Sequence, residues 1–344
     1  IVIYRQHSRS GNLQQQQRIA DKQAEVIDNT QQSDLLRGLV MSHHGQEVEV
    51  VLMDEDNSPI ANNSQRCHFR ANLPTVVCGD RVLWRPLEQT DTGIVEALLK
   101  RDSLLERPRP YQDPKPVAAN IDTIIITLAP KPAPISSLID RFLIAAENAN
   151  IEVCLLLNKE DLLTDNPVVA AELEQLLTLY RDLGYQTFSF SAQSSTAVEQ
   201  QAFIQFIADK TSILVGQSGV GKSTLINTLS GANTAKTATI SSANDKGRHT
   251  TTTSQLYPFN RHEMAGSGAI IDSPGIREFG LWHLSPAAII DGLPEFRAQA
   301  VLCKFRDCEH GKSQGCALQL AFEEGKIHPS RISSYRHILD SLDD

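Results

Sequence analysis

Three groups of residues in this chain have the types and spacing to do chemistry. The first is Gly216, Gln217, Ser218, Gly219, Val220, Gly221, Lys222, Ser223, a full match to G-x-x-x-x-G-K-[ST], followed by Thr224. Glycines let successive backbone N–H groups turn inward onto phosphate oxygens, and a helix starting near Lys222 adds its positive dipole end. Lys222 is expected at the β- and γ-phosphates as a catalytic charge, and Ser223 on a magnesium ion. The second group is Asn158, Lys159, Glu160, Asp161, the N-K-x-D pattern. The Asp161 carboxylate can accept from both N1–H and the 2-amino group of guanine, which adenine lacks, so an adenine would leave it unpaired. Ser191 and Ala192, after a strand-like run, fit a second base-contacting loop. The third group is Cys303, Cys308, His310 and Cys316, three thiolates and an imidazole within 14 residues. That is a complete tetrahedral set for one structural zinc, with no position left open for water.

The remaining parts of a hydrolytic site also have candidates. Asp272-Ser273-Pro274-Gly275 reads as D-x-x-G after an apolar strand, with Asp272 toward magnesium and the Gly275 N–H toward the γ-phosphate. Lys246–Thr253 is polar and threonine-rich, as a switch loop should be, and Thr250, or its neighbour Thr251, is expected on magnesium. The position after Gly275 is Ile276, which cannot orient a water molecule, so His249 is the candidate for that work. These residues together imply a GTP-hydrolysing site with slow intrinsic turnover that a partner accelerates. Their order is unusual: Asn158 precedes Lys222 by 64 residues, whereas the base-reading motif of an ordinary GTPase follows the phosphate loop. Chain termini often lie close together, so rejoining the chain elsewhere leaves such a site intact. A circularly permuted domain follows.

The elements that must position these groups are legible in outline. Residues 1–36 are rich in Gln and Asn and are expected to form a disordered tail. Residues 37–105 carry short runs such as Glu47–Leu52, His68–Arg70, Thr75–Val77, Arg81–Trp84 and Gly93–Leu99, the pattern of a small β-barrel of OB-fold size. Residues 106–118, with four prolines, read as a semi-rigid linker. Over 119–284 the continuous apolar runs Ile121–Leu128, Ile151–Leu157 and Thr211–Val215 alternate with helical segments, implying a parallel α/β sheet. Residues 285–344 read as a mainly helical zinc-binding domain in which Lys304, Arg306 and Lys312 offer a small basic surface. Gly275 lies only 28 residues before Cys303, which tethers the second switch to the zinc segment, so the nucleotide could bias that segment.

Composition narrows the partners. The 344 residues carry a net charge of −9, so nucleic-acid binding must use local patches rather than overall attraction. No apolar run approaches a membrane span, and Ile1–Tyr4 gives way at once to Arg5, which predicts no signal peptide. Cys67, Cys78 and Cys154 stand alone in apolar surroundings; with the clustered set, this usage predicts a reducing, cytoplasmic location.

With the guanine motif ahead of the phosphate loop, D-x-x-G after it and the Cys₃His set beyond, the chain resembles the circularly permuted RsgA family of small ribosomal subunit biogenesis GTPases. The resemblance covers residues from about 37 to the end. It implies GTP or GDP, Mg²⁺ and one Zn²⁺ as cofactors, and a monomer that binds the small ribosomal subunit, whose presence stimulates hydrolysis. By the same resemblance the barrel and zinc segment contact ribosomal RNA, and an apolar residue at Ile276 favours the role of His249. Two other readings fit the residues: a GTPase acting on protein or membrane partners, and a zinc-bearing nucleic-acid module with a vestigial nucleotide site. The intact Lys222, Ser223 and Asp272 argue against the second.

Overall fold

The computed structural model describes residues 34–54, 59–70, 73–88, 90–109, 112–191, 197–231, 254–259, 267–273, 284–305, 308, 310 and 315–342. The chain divides into two compact units, one ending at Asp102 and one beginning at Ser103.

The first unit contains five strands, β1 (Leu36–His44), β2 (Glu47–Met53), β3 (Pro59–Phe69), β4 (Arg81–Pro86) and β5 (Thr92–Leu98). β1 pairs antiparallel with both β2 and β4. β2 pairs antiparallel with β3, β3 parallel with β5, and β5 antiparallel with β4, so the ladder closes on itself. Closure removes the free edges that an open sheet would present. Val40, Val48, Val50, Cys67, Val82, Trp84 and Val95 fill the interior. Thr75–Val77, expected as a strand, is instead extended coil held by an ion pair. The buried Asp80 carboxylate accepts from Arg101 at 2.7 and 2.8 Å and from the Val77 N–H at 2.7 Å, while Arg101 also donates to the Thr75 carbonyl.

The proline-rich stretch expected as a linker is a two-stranded antiparallel hairpin, β6 (Leu104–Arg109) and β7 (Gln112–Ala119), within the second unit. Proline removes a ladder donor, which excludes it from central strands. A hairpin of two strands has only edges, so Pro114 and Pro116 are tolerated there, with register shifts at Leu105/Glu106 and Arg107/Arg109.

The rest of the second unit is built on β8 (Thr123–Leu128), β9 (Glu152–Asn158), β10 (Gln186–Phe190), β11 (Thr211–Val215), β12 (Gln255–Pro258) and β13 (Ala269–Asp272). Their order across the sheet is β10-β9-β8-β11-β13-β12, parallel throughout except that β12 runs antiparallel to β13. β8 is buried at every residue, as a strand covered on both faces must be. The helices are α1 (Ser136–Ala149), α2 (Pro167–Asp182), α3 (Ala197–Ile207) and α4 (Lys222–Ser230), with α5 (Pro286–Asp291), α6 (Pro294–Ala300), α7 (Ala317–Glu323) and α8 (Pro329–Asp340) following the sheet. A short 3₁₀ turn spans Glu160–Leu163. Phe203, Ile204 and Ile207 of α3 and Leu225, Ile226 and Leu229 of α4 share one core cluster with Phe190 and Leu214.

The C-terminal helices are fastened to α1 by charge as well as by apolar contact. Phe296, Phe322 and Tyr335 form an aromatic cluster among α6, α7 and α8. Arg331 of α8, 1% exposed, donates to Glu295 of α6 at 2.6 Å and to Asp140 of α1, which also accepts from Tyr180 of α2 at 2.7 Å. Burial works against the Arg331 charge, but Asp140 and Glu295 outweigh it and push its pKa up.

Candidate nucleotide and metal sites

In a parallel sheet all C-terminal strand ends lie along one edge, and ligands bind in the crevice outside it. Here that edge collects Asn158 at the end of β9, Ser191 after β10, Gly216 after β11 and Asp272 at the end of β13. β11 lies between β8 and β13, with Leu214 level with Asp272, so the phosphate loop sits at the centre of the edge.

The loop has its shape because glycine permits it. Gly216, Gly219 and Gly221 have φ of 135°, 86° and 97°, values that other residues rarely adopt. A Cβ on Gly216 would lie 2.3 Å from the Thr127 carbonyl oxygen, and one on Gly221 would lie 2.4 Å from Nδ2 of Asn158. The second contact matters most, because it places the base motif directly against the phosphate loop. Asn158 Nδ2 donates to the Val220 carbonyl at 2.9 Å, and Lys159 Nζ to the Gly219 carbonyl at 2.6 Å. Lys159 takes a left-handed backbone, φ 59°, which turns the chain sharply after the strand. Gln217 and Ser218 carry the loop from Gly216 to Gly219. The Lys222 ammonium is held by the carbonyls of Gly216 and Gln217, each at 2.7 Å. Ser223 and Thr224 occupy the first turn of α4, which Gly221 caps.

The base side is built from two loops. Asp161 lies in the 3₁₀ turn with Glu160, and its Oδ1 accepts from the hydroxyl of buried Ser191 at 2.6 Å. Gln200 of α3 donates through Nε2 to the Ser191 carbonyl at 3.2 Å. Sequence reasoning missed Gln200, since nothing in its local pattern announces a contact made across a loop. It also missed Pro132, whose Cδ lies 3.8 Å from where a Gly219 Cβ would stand. On the magnesium side, Asp272 ends β13 and Ser273 Oγ lies 2.9 Å from Ser254 Oγ. Ala192, His249, Thr250, Thr251, Gly275 and Ile276 lie outside the described residues, as do Arg306 and Lys312 of the basic surface.

The third group is brought together as its spacing predicts. One donor atom each from Cys303, Cys308, His310 and Cys316 lies within 4.8 Å of every other. His310 Nδ1 is 3.5 Å from Cys303 Sγ and 3.8 Å from Cys316 Sγ. A tetrahedral ion holding thiolates at about 2.3 Å sets its donors roughly 3.8 Å apart, so the donor set fits one zinc ion. Local structure explains the gathering: Cys303 follows α6, His310 takes a left-handed backbone, and Cys316 caps α7 while accepting from the Gln319 N–H at 3.4 Å. Burial pushes the Cys303 thiol up, but the Leu318 and Ala317 N–H groups and the neighbouring thiols bring it below its usual value. Burial also lowers His310, opposed by Asp291, and so favours the neutral imidazole that a metal requires.

Known proteins resemble this chain in sequence and in fold. The model of the RsgA GTPase family matches residues 98–282. A small ribosomal subunit biogenesis GTPase RsgA of Ectopseudomonas mendocina is 44% identical over 328 residues, 94% of this chain and 92% of that protein. One of the same name from Pseudomonas putida is 46% identical over 305 residues, covering 89% and 85%. Among solved structures, YjeQ from Thermotoga maritima is 28% identical with a TM-score of 0.67, covering 90% of this chain and 98% of that one. YloQ, described as a circularly permuted GTPase, has a TM-score of 0.65 at 24% identity and supports the fold alone. A base motif that leads in sequence yet packs on the phosphate loop, a family match over more than half the chain and relatives identical at more than two positions in five lead to one conclusion: this chain belongs to the RsgA GTPase family and is a GTP-hydrolysing enzyme.

Proposed function

We propose that this GTPase assists the maturation of the small ribosomal subunit, binds that subunit, and hydrolyses GTP faster when bound to it. The observation that carries the reading is the joined base and phosphate loops, together with relatives named for small-subunit biogenesis at up to 46% identity. In this reading Asp161 reads guanine, with Asn158, Lys159, Glu160, Ser191 and Ala192 shaping the base pocket. Residues Gly216–Thr224 hold the phosphates, and Lys222 offsets charge developing on the γ-phosphoryl group. Ser223 and Thr250 bind Mg²⁺, which neutralises phosphate charge when present; Asp272 and Gly275 complete the γ-phosphate side. His249 orients the attacking water in place of Ile276.

Cys303, Cys308, His310 and Cys316 hold a structural Zn²⁺. The barrel and the zinc segment contact ribosomal RNA, and the protein works as a cytoplasmic monomer. The reading of the zinc segment as a surface for RNA draws support from Lys304, Phe305, Val301 and Leu302, all exposed beside the first ligand. Among the described residues no helix is long and apolar enough to cross a membrane.

The test is GTP turnover by the full chain, with and without purified small subunits, at low and high salt. Small subunits should raise turnover, less so at high salt, and His249→Ala should remove the stimulation while leaving GDP affinity unchanged. Turnover indifferent to small subunits would overturn the ribosomal reading. Loss of stimulation in the wild type alone, with active basal turnover, would leave only the GTPase.

A further inference from the structure

Beyond the motif residues, the structure contains a side chain that acts on the base reader at one remove. We propose that Gln200 is a positioning residue for guanine specificity, which it sets by holding Ser191 against Asp161. This rests on the reading of Asp161 as the group that recognises guanine.

The argument starts from the helix. Gln200, Phe203, Ile204 and Ile207 follow the i, i+3, i+4, i+7 spacing of one face of α3. Phe203, Ile204 and Ile207 are buried, and Phe203 packs on Phe190 and Phe188 of β10 at ring separations of 6.0 and 5.6 Å. These contacts fix α3 over β10, and Gln200, one turn nearer the helix start, is set over the loop that leaves the strand. Its amide donates to the Ser191 carbonyl at 3.2 Å. Ser191 is 1% exposed, and its hydroxyl donates to Asp161 Oδ1 at 2.6 Å. A donor on Oδ1 keeps the carboxylate from rotating about its own axis. Both its oxygens are then presented in one plane to a base that offers two donors side by side.

The order of the chain gives this contact its weight. Asp161 and Ser191 are borne on loops 30 residues apart, each leaving a different strand, and a peptide loop alone does not hold two such groups to hydrogen-bond accuracy. α3 reaches Ser191 from the far side of the strand end, so the carboxylate, the hydroxyl and the carboxamide form a chain anchored in the apolar core. Without the carboxamide the Ser191 loop keeps its place in sequence and loses its fixed distance to Asp161. What suffers is the second hydrogen bond to the base, the one made by the 2-amino group.

Inosine nucleotides separate this effect from general damage, because they keep N1–H and lack the 2-amino group. The experiment measures GDP and IDP affinity of the full chain in the wild type and in Gln200→Ala, Gln200→Glu and Asp161→Ala, with thermal unfolding of each. Gln200→Glu keeps the shape of the side chain and removes the donor. The expected result is a wild type that prefers GDP to IDP, and both Gln200 variants narrowing that preference by about fivefold, the worth of one hydrogen bond, with the unfolding midpoint unchanged. Asp161→Ala should abolish the preference. If Asp161→Ala abolishes it and the Gln200 variants keep the wild-type ratio, or lose GDP and IDP affinity by the same factor, the role of Gln200 is overturned. If Asp161→Ala itself keeps the ratio, the reading of Asp161 fails and the inference with it. Should Gln200→Ala not fold, Gln200→Glu decides alone; should neither fold, Gln200 is a structural residue and the inference is wrong.

Discussion

At the scale of single residues, the site depends on which groups can donate and which can only accept. Asp161 is acceptor-only when ionised, and this makes guanine, with adjacent donors at N1 and the 2-amino group, its match. Replacing it with Asn changes one oxygen into an N–H donor. That donor repels the 2-amino group of guanine and meets the 2-oxo group of xanthine. Asp161→Asn should therefore exchange GDP for XDP, by on the order of 10⁴ in relative affinity, measured by competition between the two nucleotides. Unaltered GDP preference in a folded variant would place the base elsewhere. Asn158 and Lys159 play a different part: they donate to carbonyls of the phosphate loop, so their loss should weaken every nucleotide alike. That the two motifs belong together was legible because N-K-x-D and G-x-x-x-x-G-K-S are local patterns whose chemistry is carried in four and eight residues. The contact of Gln200 was not legible, because it joins elements whose spacing in the chain carries no signal.

Among the elements, the apolar runs announced the parallel strands well, since β8 and β9 are buried on both faces and so read as unbroken apolar sequence. β1 was not announced. Its inward residues are Gly38, Val40 and Ser42, and its outward ones include Leu39 and Met41, so the alternation runs against the usual hydrophobic sense. The hairpin β6–β7 was hidden by its prolines for the reason given above. In the barrel, Glu96 of β5 pairs with Arg70 beyond β3 and with Arg85 of β4. Hydrogen bonding to Arg70 holds the Glu96 carboxyl below its usual value, against a smaller opposing effect of burial. The stability this adds is complete above the ordinary Glu pKa of about 4.3 and disappears as the pH falls through the depressed folded value. Both arginines are half exposed, so the contribution is modest. Thermal unfolding of the wild type and Glu96→Gln should be compared at pH 7 and pH 3.5: the variant should have the lower midpoint at the first and lie nearer the wild type at the second. The cysteines make a parallel case. Burial pushes the Cys67 thiol up to about 12 and Cys78 and Cys154 higher still, so these three should resist alkylation in the native protein. The clustered thiols should resist it only while metal is bound. Adding a chelator at pH 8 should therefore expose up to three reactive cysteines, countable by mass, and labelling of Cys67, Cys78 or Cys154 under native conditions would contradict their assigned burial.

For the whole molecule, the buried Arg331 of α8 ties the C-terminal helices to one another and to the α/β sheet, reaching α6 through Glu295 and α1 through Asp140. Removing it takes from the Asp140 and Glu295 carboxyls their shared partner in a buried place. Arg331→Ala should cost about 3–5 kcal/mol, read from denaturant unfolding followed by helical circular dichroism; a loss below about 1 kcal/mol, the range of surface pairs, would show that the network is hydrated. This network also bears on the expected influence of the second switch on the zinc segment. With α8 fastened to α1, any nucleotide-dependent motion there must be confined to the loop of Cys303–Cys316 or must break an ion pair. The order of strands has a further consequence, for synthesis. β8, β9 and β10 are translated before β11, which fills the side of β8 away from β9 and begins 88 residues after β8 begins and 21 after β10 ends. Until β11 is made, the nascent chain carries an unpaired edge on a strand of six residues, four of them Ile or Leu, the kind of surface that invites pairing with another chain. The strands that carry Asn158 and lead to Ser191 are thus made before the loop of Gly216–Ser223 on which Asn158 packs.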